Sequence, residues 1–439
     1  MDPTQPPPSQ ATAAVVGVGY VGLTTAVCLA HLGHRVSAID LDEHRVAELR
    51  AGRPGILEEG LPELLAEGLG SGRLCFTTDL QEGVEGAELV FLCVPTPQGT
   101  DGAADLSYVE QAASQIGPHL APGAVVIAKS TVPPGAELAV EACLGRPDVH
   151  VVCNPEFLRE GQAVSDWLRP DRVVVGSLHP EAAQRVADVY RPLGAPVIVT
   201  DPTSASTIKY AANAFLALKV SFVNAVANVC EALGADAKDV LAGMGLDRRI
   251  GSDHLTPGPG WGGSCFPKDT RALLHLSEAN GYDFGLLREA IRANEQQFDL
   301  VVADVRDLLG GSLANRRVAV WGLTFKAGTD DLRDSPALAV MGRLAAEGAQ
   351  LSCFDPTVGP DRSPPLEVPG VRVFADAYGA AADAEVLVVL TEWPEFAQVD
   401  LARLASVMAS PAVVDTRAVL EPARARAAGF AYRSRGRRR

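Results

Sequence analysis

The sequence predicts an α/β protein built as two doubly wound domains joined by a long central helix, and three observations carry that expectation. Between Ala13 and about Asp201, short β-branched runs alternate with amphipathic stretches, the pattern of βαβ units feeding a parallel sheet. The strand order of that region returns after Arg317, where RRVAVWGLTFK, AQLSCFDPT and EVLVVLTEWP repeat AAVVGVGYVG, HRVSAID and ELVFLCVPTP. Separating the two is one run rich in Ala, Leu, Val and Asn, Ser204 to Leu233, which stops at Gly234 as a helix with a glycine terminus does. A length of 439 residues fits two or three domains at roughly 100 to 200 residues each. With 47% hydrophobic and 21% charged residues, the chain has apolar material for large cores.

Taken in order, residues 1–12 read as a loose tail opened by Pro6, Pro7 and Pro8. From Thr4 to His34 there is no charged side chain apart from histidine, a length that would suit a membrane span. The prolines, the interrupting Gly17, Gly19 and Gly22, and the lack of a preceding positive segment favour instead a buried strand entering a helix, rather than a span or secretory signal. Residues 13–203 then form a Rossmann-like dinucleotide-binding domain whose strands are AAVVGVG, RVSAID, ELVFLCVP, AVVIAKST, VHVVCNPE and RVVVGS. Their apolar centres suit strands covered on both faces. A central helical region follows over 204–305, a second Rossmann-like domain over 306–430, and a basic tail over 431–439.

In the first domain, GVGYVG lies between a strand and a helix. Gly17 there allows the turn and Gly19 lets a pyrophosphate approach the backbone. Asp40, closing the next strand, is placed to bind ribose hydroxyls and would repel a 2′-phosphate, which favours NAD over NADP. The alternative is a tight turn that needs glycine for packing alone. In the repeat, GLTFK has lost two of the three glycines and gained Lys326, with Arg333 nearby in TDDLRDSP. Those cations suit a compact diphosphate, or else pair with Asp330, Asp331 and Asp334.

Cys265, in GPGWGGSCFPKDT, is placed by Pro267 at the start of a helix, beside Lys268 and Asp269. Such a setting can lower a thiol pKa from about 8.5 to between roughly 3.5 and 7.5, so a nucleophile is expected, with a buried structural cysteine as the alternative. Lys209 and Asn213 stand four apart on the long helix and could reach one reacting oxygen, or could lie on a solvated helix end. Glu156 and Glu160, again four apart in NPEFLREG, could supply a carboxylate for proton handling or be ordinary surface acids. The eight cysteines contain no CxxC pair and no zinc spacing, so no metal is expected and a reducing cytoplasm is the simplest setting. The net charge of −16 opposes nucleic-acid binding.

The ordered set GVGYVG, KSTVPPG, NPEFLREG, IKYAANAFLALKVSFVN, DRRIG, GGSCFPKD, GLTFKAGTDDLRDSP and DTR resembles the UDP-glucose/GDP-mannose dehydrogenase family, in its UDP-glucose branch, over all but the two tails. The resemblance implies NAD-dependent four-electron oxidation of UDP-glucose to UDP-glucuronate, two NAD being reduced per sugar, through a thiohemiacetal and a thioester on Cys265. It assigns Lys209 and Asn213 to the oxyanion, Asp269 and Thr131 to a positioned water, and Glu156 to thioester hydrolysis. Cofactor contacts fall to Gly17, Gly19, Tyr20, Val21, Asp40, Arg45, Thr96, Thr131, Glu160 and Arg333. Substrate contacts fall to Glu156, Phe157, Leu158, Lys209, Asn213, Phe266, Phe325, Lys326 and Arg417, with Arg249 reaching the sugar nucleotide of a neighbouring subunit in a homodimer built on the central helix. The C-terminal domain would bind the UDP-sugar, and neither a membrane nor a nucleic-acid partner is implied.

The sequence departs from the family pattern at Ser206, at Glu58 and Glu59 in LEEGL, and at Trp261 beside the sugar site. The same chemistry on dTDP-glucose, GDP-mannose or a UDP-N-acetylhexosamine stays open, as does a silent NAD-binding scaffold or sensor. The phenylalanine after the cysteine and the KD ending favour glucose.

Overall fold

The computed structural model describes residues 10–99, 102–360 and 371–436. The chain divides at Ala212/Asn213 into two compact units. In the first, eight strands form one sheet: β1 (Thr12–Val16), β2 (Arg35–Ile39), β3 (Leu74–Thr77), β4 (Leu89–Leu92), β5 (Val125–Ala128), β6 (His150–Cys153), β7 (Val173–Gly176) and β8 (Val197–Thr200). Their order, β3-β2-β1-β4-β5-β6-β7-β8, reverses direction between β1 and β4. That is the switch point of a doubly wound sheet, where ligands bind outside the carboxyl ends of the strands. Alternate residues point to opposite faces: Val15, Phe91 and Ile127 pack in one core with Leu23 and Val27, while Ala14, Val90 and Val126 pack in another with Val109 and Val140. Covering both faces is what makes these strands apolar throughout.

Two corrections to the expected sheet arise here. β3 and β8 were not among the predicted strands; each is four residues long and lies at an edge, too short and too close to turn residues to announce itself. The sheet is also not wholly parallel, since β6 and β7 meet antiparallel at Cys153 and Gly176.

The second unit carries a parallel six-stranded sheet of β9 (Arg317–Trp321), β10 (Gln350–Phe354), β11 (Val371–Val373), β12 (Val386–Val389), β13 (Ala412–Asp415) and β14 (Ala431–Ser434). The order is β11-β10-β9-β12-β13-β14. Its last strand corrects the expected basic tail, because residues 431–434 pair with β13 in parallel register. Arg433 and Arg435 are half-buried or buried there, neutralised by Asp304 at 3.0 and 2.6 Å. The arginine count misled because Arg433 and Arg435 share an acidic partner on a distant helix. Residues 437–439 lie outside the described residues, as do residues 1–9 of the other expected tail, and Thr12 already belongs to β1.

The duplication predicted from sequence is visible in detail. Gly17 donates its N–H to Ile39 (2.8 Å) and Gly322 donates to Phe354 (2.8 Å), each with φ near +90° at the end of its first strand. In both turns the next residue, Val18 or Leu323, donates its N–H to the acid closing the second strand, Asp40 at 2.9 Å and Asp355 at 2.8 Å.

The central helix runs from Pro202 to Leu233, two residues longer at its start than expected. Asp201 accepts the N–H of Ser204 (2.8 Å) as its cap, and proline suits a first turn that needs no donor. Gly234, with φ +71°, ends the helix as predicted. Length and hydropathy alone would let this helix cross a bilayer. However, Ser206, Lys209, Asn213, Ser221 and Asn224 on it are all buried in the protein.

Candidate active site

In the first unit, the expected cofactor residues follow the carboxyl ends of neighbouring strands: the glycine turn after β1, Asp40 after β2, Thr96 after β4, Thr131 after β5 and Glu160 after β6. Gly19 caps the helix Tyr20–His31 without a side-chain hydrogen bond, and the first turn of that helix has no acid. A Cβ on Gly19 would meet nothing within 4 Å, so the backbone is open on the side where an anion would lie. Asp40 Oδ2 accepts from Val18 N and from Arg45 Nη1 (3.0 Å), while Oδ1 accepts from Asp42 N (3.0 Å). An uncapped helix start, open backbone and a terminal acid fit an NAD pyrophosphate and ribose. Tyr20 is fixed differently: its hydroxyl donates to buried Glu58 and accepts from Gly161 N, and burial, followed by Glu58, pushes the phenol well above its usual range. The Glu58 departure thus anchors the helix that carries the glycine turn. Val21 follows Tyr20 in the same helical turn, partly exposed.

Gly22 shows how tightly this turn is built. A Cβ there would lie 1.8 Å from the Gly17 carbonyl oxygen, a backbone atom that cannot move without opening the turn. Gly22→Ala is therefore expected to destabilise the first unit by about 3 kcal/mol or more and to lose NAD binding, as read by urea denaturation and cofactor titration.

Glu156 is buried, and Lys209 Nζ donates to its Oε1 at 3.0 Å while Leu158 N donates to Oε2 at 2.6 Å. Burial raises the carboxyl's pKa, but the Lys209 charge and the Leu158 N–H outweigh it and hold Glu156 below its ordinary value. Both solvated alternatives weighed for these residues are therefore set aside. Phe157 lies between cations, its ring centre 3.6 Å from Arg172 Cζ and 5.4 Å from Lys209 Nζ.

In the second unit, Cys265 is the cap of the helix Phe266–Ala279, as the sequence indicated, with Ser264 Oγ 3.6 Å from its sulfur. One turn on, Asp269 is fully buried and accepts from Asn213 Nδ2 (2.6 Å) and Lys268 Nζ (2.6 Å). An amide carries two donors, so Asn213 can hold Asp269 and still donate to substrate. The cysteine loop is seated on the protein's own residues: a Cβ on Gly262 would be 2.0 Å from Asp334 O, and one on Gly263 would be 2.8 Å from the Phe325 ring. Buried Trp261 donates Nε1 to Ser221 Oγ (2.8 Å) and packs edge-on against Phe266 at 6.4 Å.

Family models cover this architecture in sequence. The NAD-binding domain of the UDP-glucose/GDP-mannose dehydrogenase family matches residues 11–194, its central domain 203–296 and its UDP-binding domain 319–422. The chain belongs to this family. The UDP-glucose 6-dehydrogenase of Rhizobium meliloti is 43% identical, covering 96% of this chain and 99% of its own length. TuaD of Bacillus subtilis, also a UDP-glucose 6-dehydrogenase, is 41% identical, covering 97% and 93%. Among solved structures, a UDP-glucose dehydrogenase from Pyrobaculum islandicum has a TM-score of 0.90 at 39% identity, covering 97% and 98%. A UDP-D-ManNAc dehydrogenase from Pyrococcus horikoshii has 0.85 at 28% identity, covering 97% and 99%.

Within the family's UDP-binding domain, Phe325 and Lys326 follow β9 and Arg417 follows β13, again at carboxyl ends. Arg417 Nε donates to Leu390 O (3.1 Å) and pairs with Glu392 (3.0 Å), and its Nη2 lies 3.5 Å from Phe325 O. Lys326 Nζ lies 5.6 Å from the Phe325 ring centre. Two expected residues pair with acids two positions away. Arg333 is 64% exposed and doubly bonded to Asp331, the acid pairing weighed against a ligand role from the sequence. Arg249 is 89% exposed and clasped by Asp247. Sequence reasoning gave no role to Lys129, Asn154, Tyr190 or Arg172. The first two were detectable as polar residues ending otherwise apolar strands.

Proposed function

We propose that this chain is a UDP-glucose 6-dehydrogenase that converts UDP-glucose to UDP-glucuronate by way of a thioester on Cys265. The observation that carries this reading is Cys265 at a helix start, one turn before an Asp269 fixed by Asn213 and Lys268. NAD, held by the Gly17–Gly19 turn and Asp40, would supply the oxidising power for both rounds, two electrons in each. The Cys265 thiolate adds to the aldehyde carbon, and the carbonyl oxygen becomes an oxyanion that Lys209 and Asn213, one turn apart on a single helix, stabilise by charge and hydrogen bond. Oxidation of that thiohemiacetal leaves a thioester. Water then gives a proton to Glu156, its oxygen bonds to the acyl carbon, and the carbon–sulfur bond breaks to restore the thiolate. Asp269 and Thr131 orient the water. Recording NADH absorbance against product tests the scheme: two NADH per UDP-glucuronate are expected, and one per sugar would overturn it. A panel including dTDP-glucose, GDP-mannose and UDP-N-acetylmannosamine decides the substrate branch.

The working chain is proposed to be a homodimer in a reducing cytoplasm, where its eight free thiols persist. Phe215, Phe222 and Val229 recur every seven residues on the central helix, with Phe215 64% and Phe222 54% exposed. Such a stripe is covered by a partner more often than left in water, and a second copy would also give the outward-facing Arg249 a neighbouring site to reach. Phe222→Asp is expected to give a monomer of reduced activity, checked by light scattering and NADH assay; an unchanged dimer would refute the interface.

A further inference from the structure

Lys129 closes β5 and is only 4% exposed. Its Nζ donates to Asn154 Oδ1 at 3.1 Å, and Tyr190 Oη donates to the same oxygen at 2.6 Å. Asn154 in turn donates Nδ2 to Val174 O (2.8 Å) and its backbone N–H to Ala128 O (2.9 Å). The Tyr190 ring centre lies 5.6 Å from the ammonium. These bonds tie the end of β5 to the end of β6 in the core. Two residues beyond Lys129 stands Thr131, and two beyond Asn154 stands Glu156. A single buried cluster therefore sets where both proton-handling loops leave the sheet.

Charge points the same way. Lys129 faces Cys28 on the first helix, Cys93 after β4, Glu156 after β6, Lys209 on the central helix and Tyr190. Burial lowers its ammonium to about 8, with Lys209 acting in the same direction and Cys93, Glu156 and Cys28 opposing. A lysine held in the interior against that penalty, with Lys209 already paired to Glu156, contributes more than packing. It is also among the cations that hold Glu156 ionised, after Lys209 itself.

We infer that Lys129, clamped by Asn154 and Tyr190, is a positioning residue for thioester hydrolysis: it fixes the loops of Thr131 and Glu156 and adds a second cation that keeps Glu156 a carboxylate able to accept the proton of water. The inference rests on the hydrolytic role proposed above for Glu156. Lys129 itself neither gains nor loses a proton in the step.

Rapid-quench measurement of NADH formation and UDP-glucuronate release across pH tests it. In Lys129→Met, both NADH should form while hydrolysis slows about tenfold, and the acid limb of hydrolysis should move up by about one pH unit as Glu156 loses a neighbouring cation. Asn154→Asp, nearly the same in shape, puts an anion against Lys129 and should move the limb in the same direction with the fold kept. A wild-type pH profile in folded Lys129→Met, whatever its thermal stability, overturns the proposal, and Asn154→Asp decides in the same way should the methionine variant not fold. Glu156→Gln separates the two readings. If it hydrolyses normally, the Glu156 role falls and this proposal with it; if it is slow while the Lys129 and Asn154 variants are normal, this proposal alone falls.

Discussion

Cys265→Ser should bind UDP-glucose and NAD about as well as the parent protein, yet form UDP-glucuronate at least about a thousandfold more slowly. The substitution keeps the size of the side chain and leaves the Asn213–Asp269–Lys268 cluster below it intact. What it removes is the thiol: a helix start can favour a thiolate but cannot bring a serine hydroxyl into range. The first oxidation, from alcohol to aldehyde, makes no bond to residue 265, so the block falls on the second. Rapid-quench counting should therefore find close to one NADH per site where the parent gives two. Full turnover by the serine variant would refute covalent catalysis, as would undiminished output after Cys265 is alkylated.

Lys209→Ala should carry a double penalty. A carboxylate as buried as Glu156 loses the ammonium that pairs with it at 3.0 Å, and breaking a buried pair from one side costs about 3 to 5 kcal/mol. Losing an oxyanion donor adds about a hundred- to a thousandfold in kcat. Lys209→Ala with Glu156→Gln should restore much of the stability and none of the activity, which separates the two effects by melting and by assay. The pH dependence has a definite sign. In the parent, Glu156 is held below its unfolded value near 4.3, so its stabilisation is present above that pH and is lost as pH falls through the lower folded value. In Lys209→Ala, burial pushes the carboxyl upward with less opposition, so the deficit should be largest at neutral pH and shrink as pH falls. A deficit independent of pH would show that Glu156 is not the group left exposed to the loss.

The sequence made some parts of this molecule readable because their causes are local. A glycine turn after a strand, an acid closing the next strand, proline just past Cys265 and glycine after Leu233 each act within a few residues, and each is where it was expected. The strands covered on both faces were readable for the same reason. Apart from the short edge strands, the misses depend on partners far along the chain. β14 looks like a solvated basic tail until Asp304, more than a hundred residues earlier, neutralises its arginines. The clamp on Lys129 closes across 25 residues to Asn154 and 36 more to Tyr190.

The two glycine turns are alike in backbone, but their acids are not in the same condition. Asp355 is 2% exposed, and Leu323, Thr324, Thr357 and Trp393 already donate to it, so no lone pair is left for a ribose. Of these two similar cradles, one is shut from inside. Under the proposed scheme, a chain that oxidises the same carbon twice with one working cradle has to eject spent nicotinamide and admit fresh in mid-catalysis, and the proposed bond to Cys265 would be the mooring that keeps the half-finished sugar aboard during the exchange.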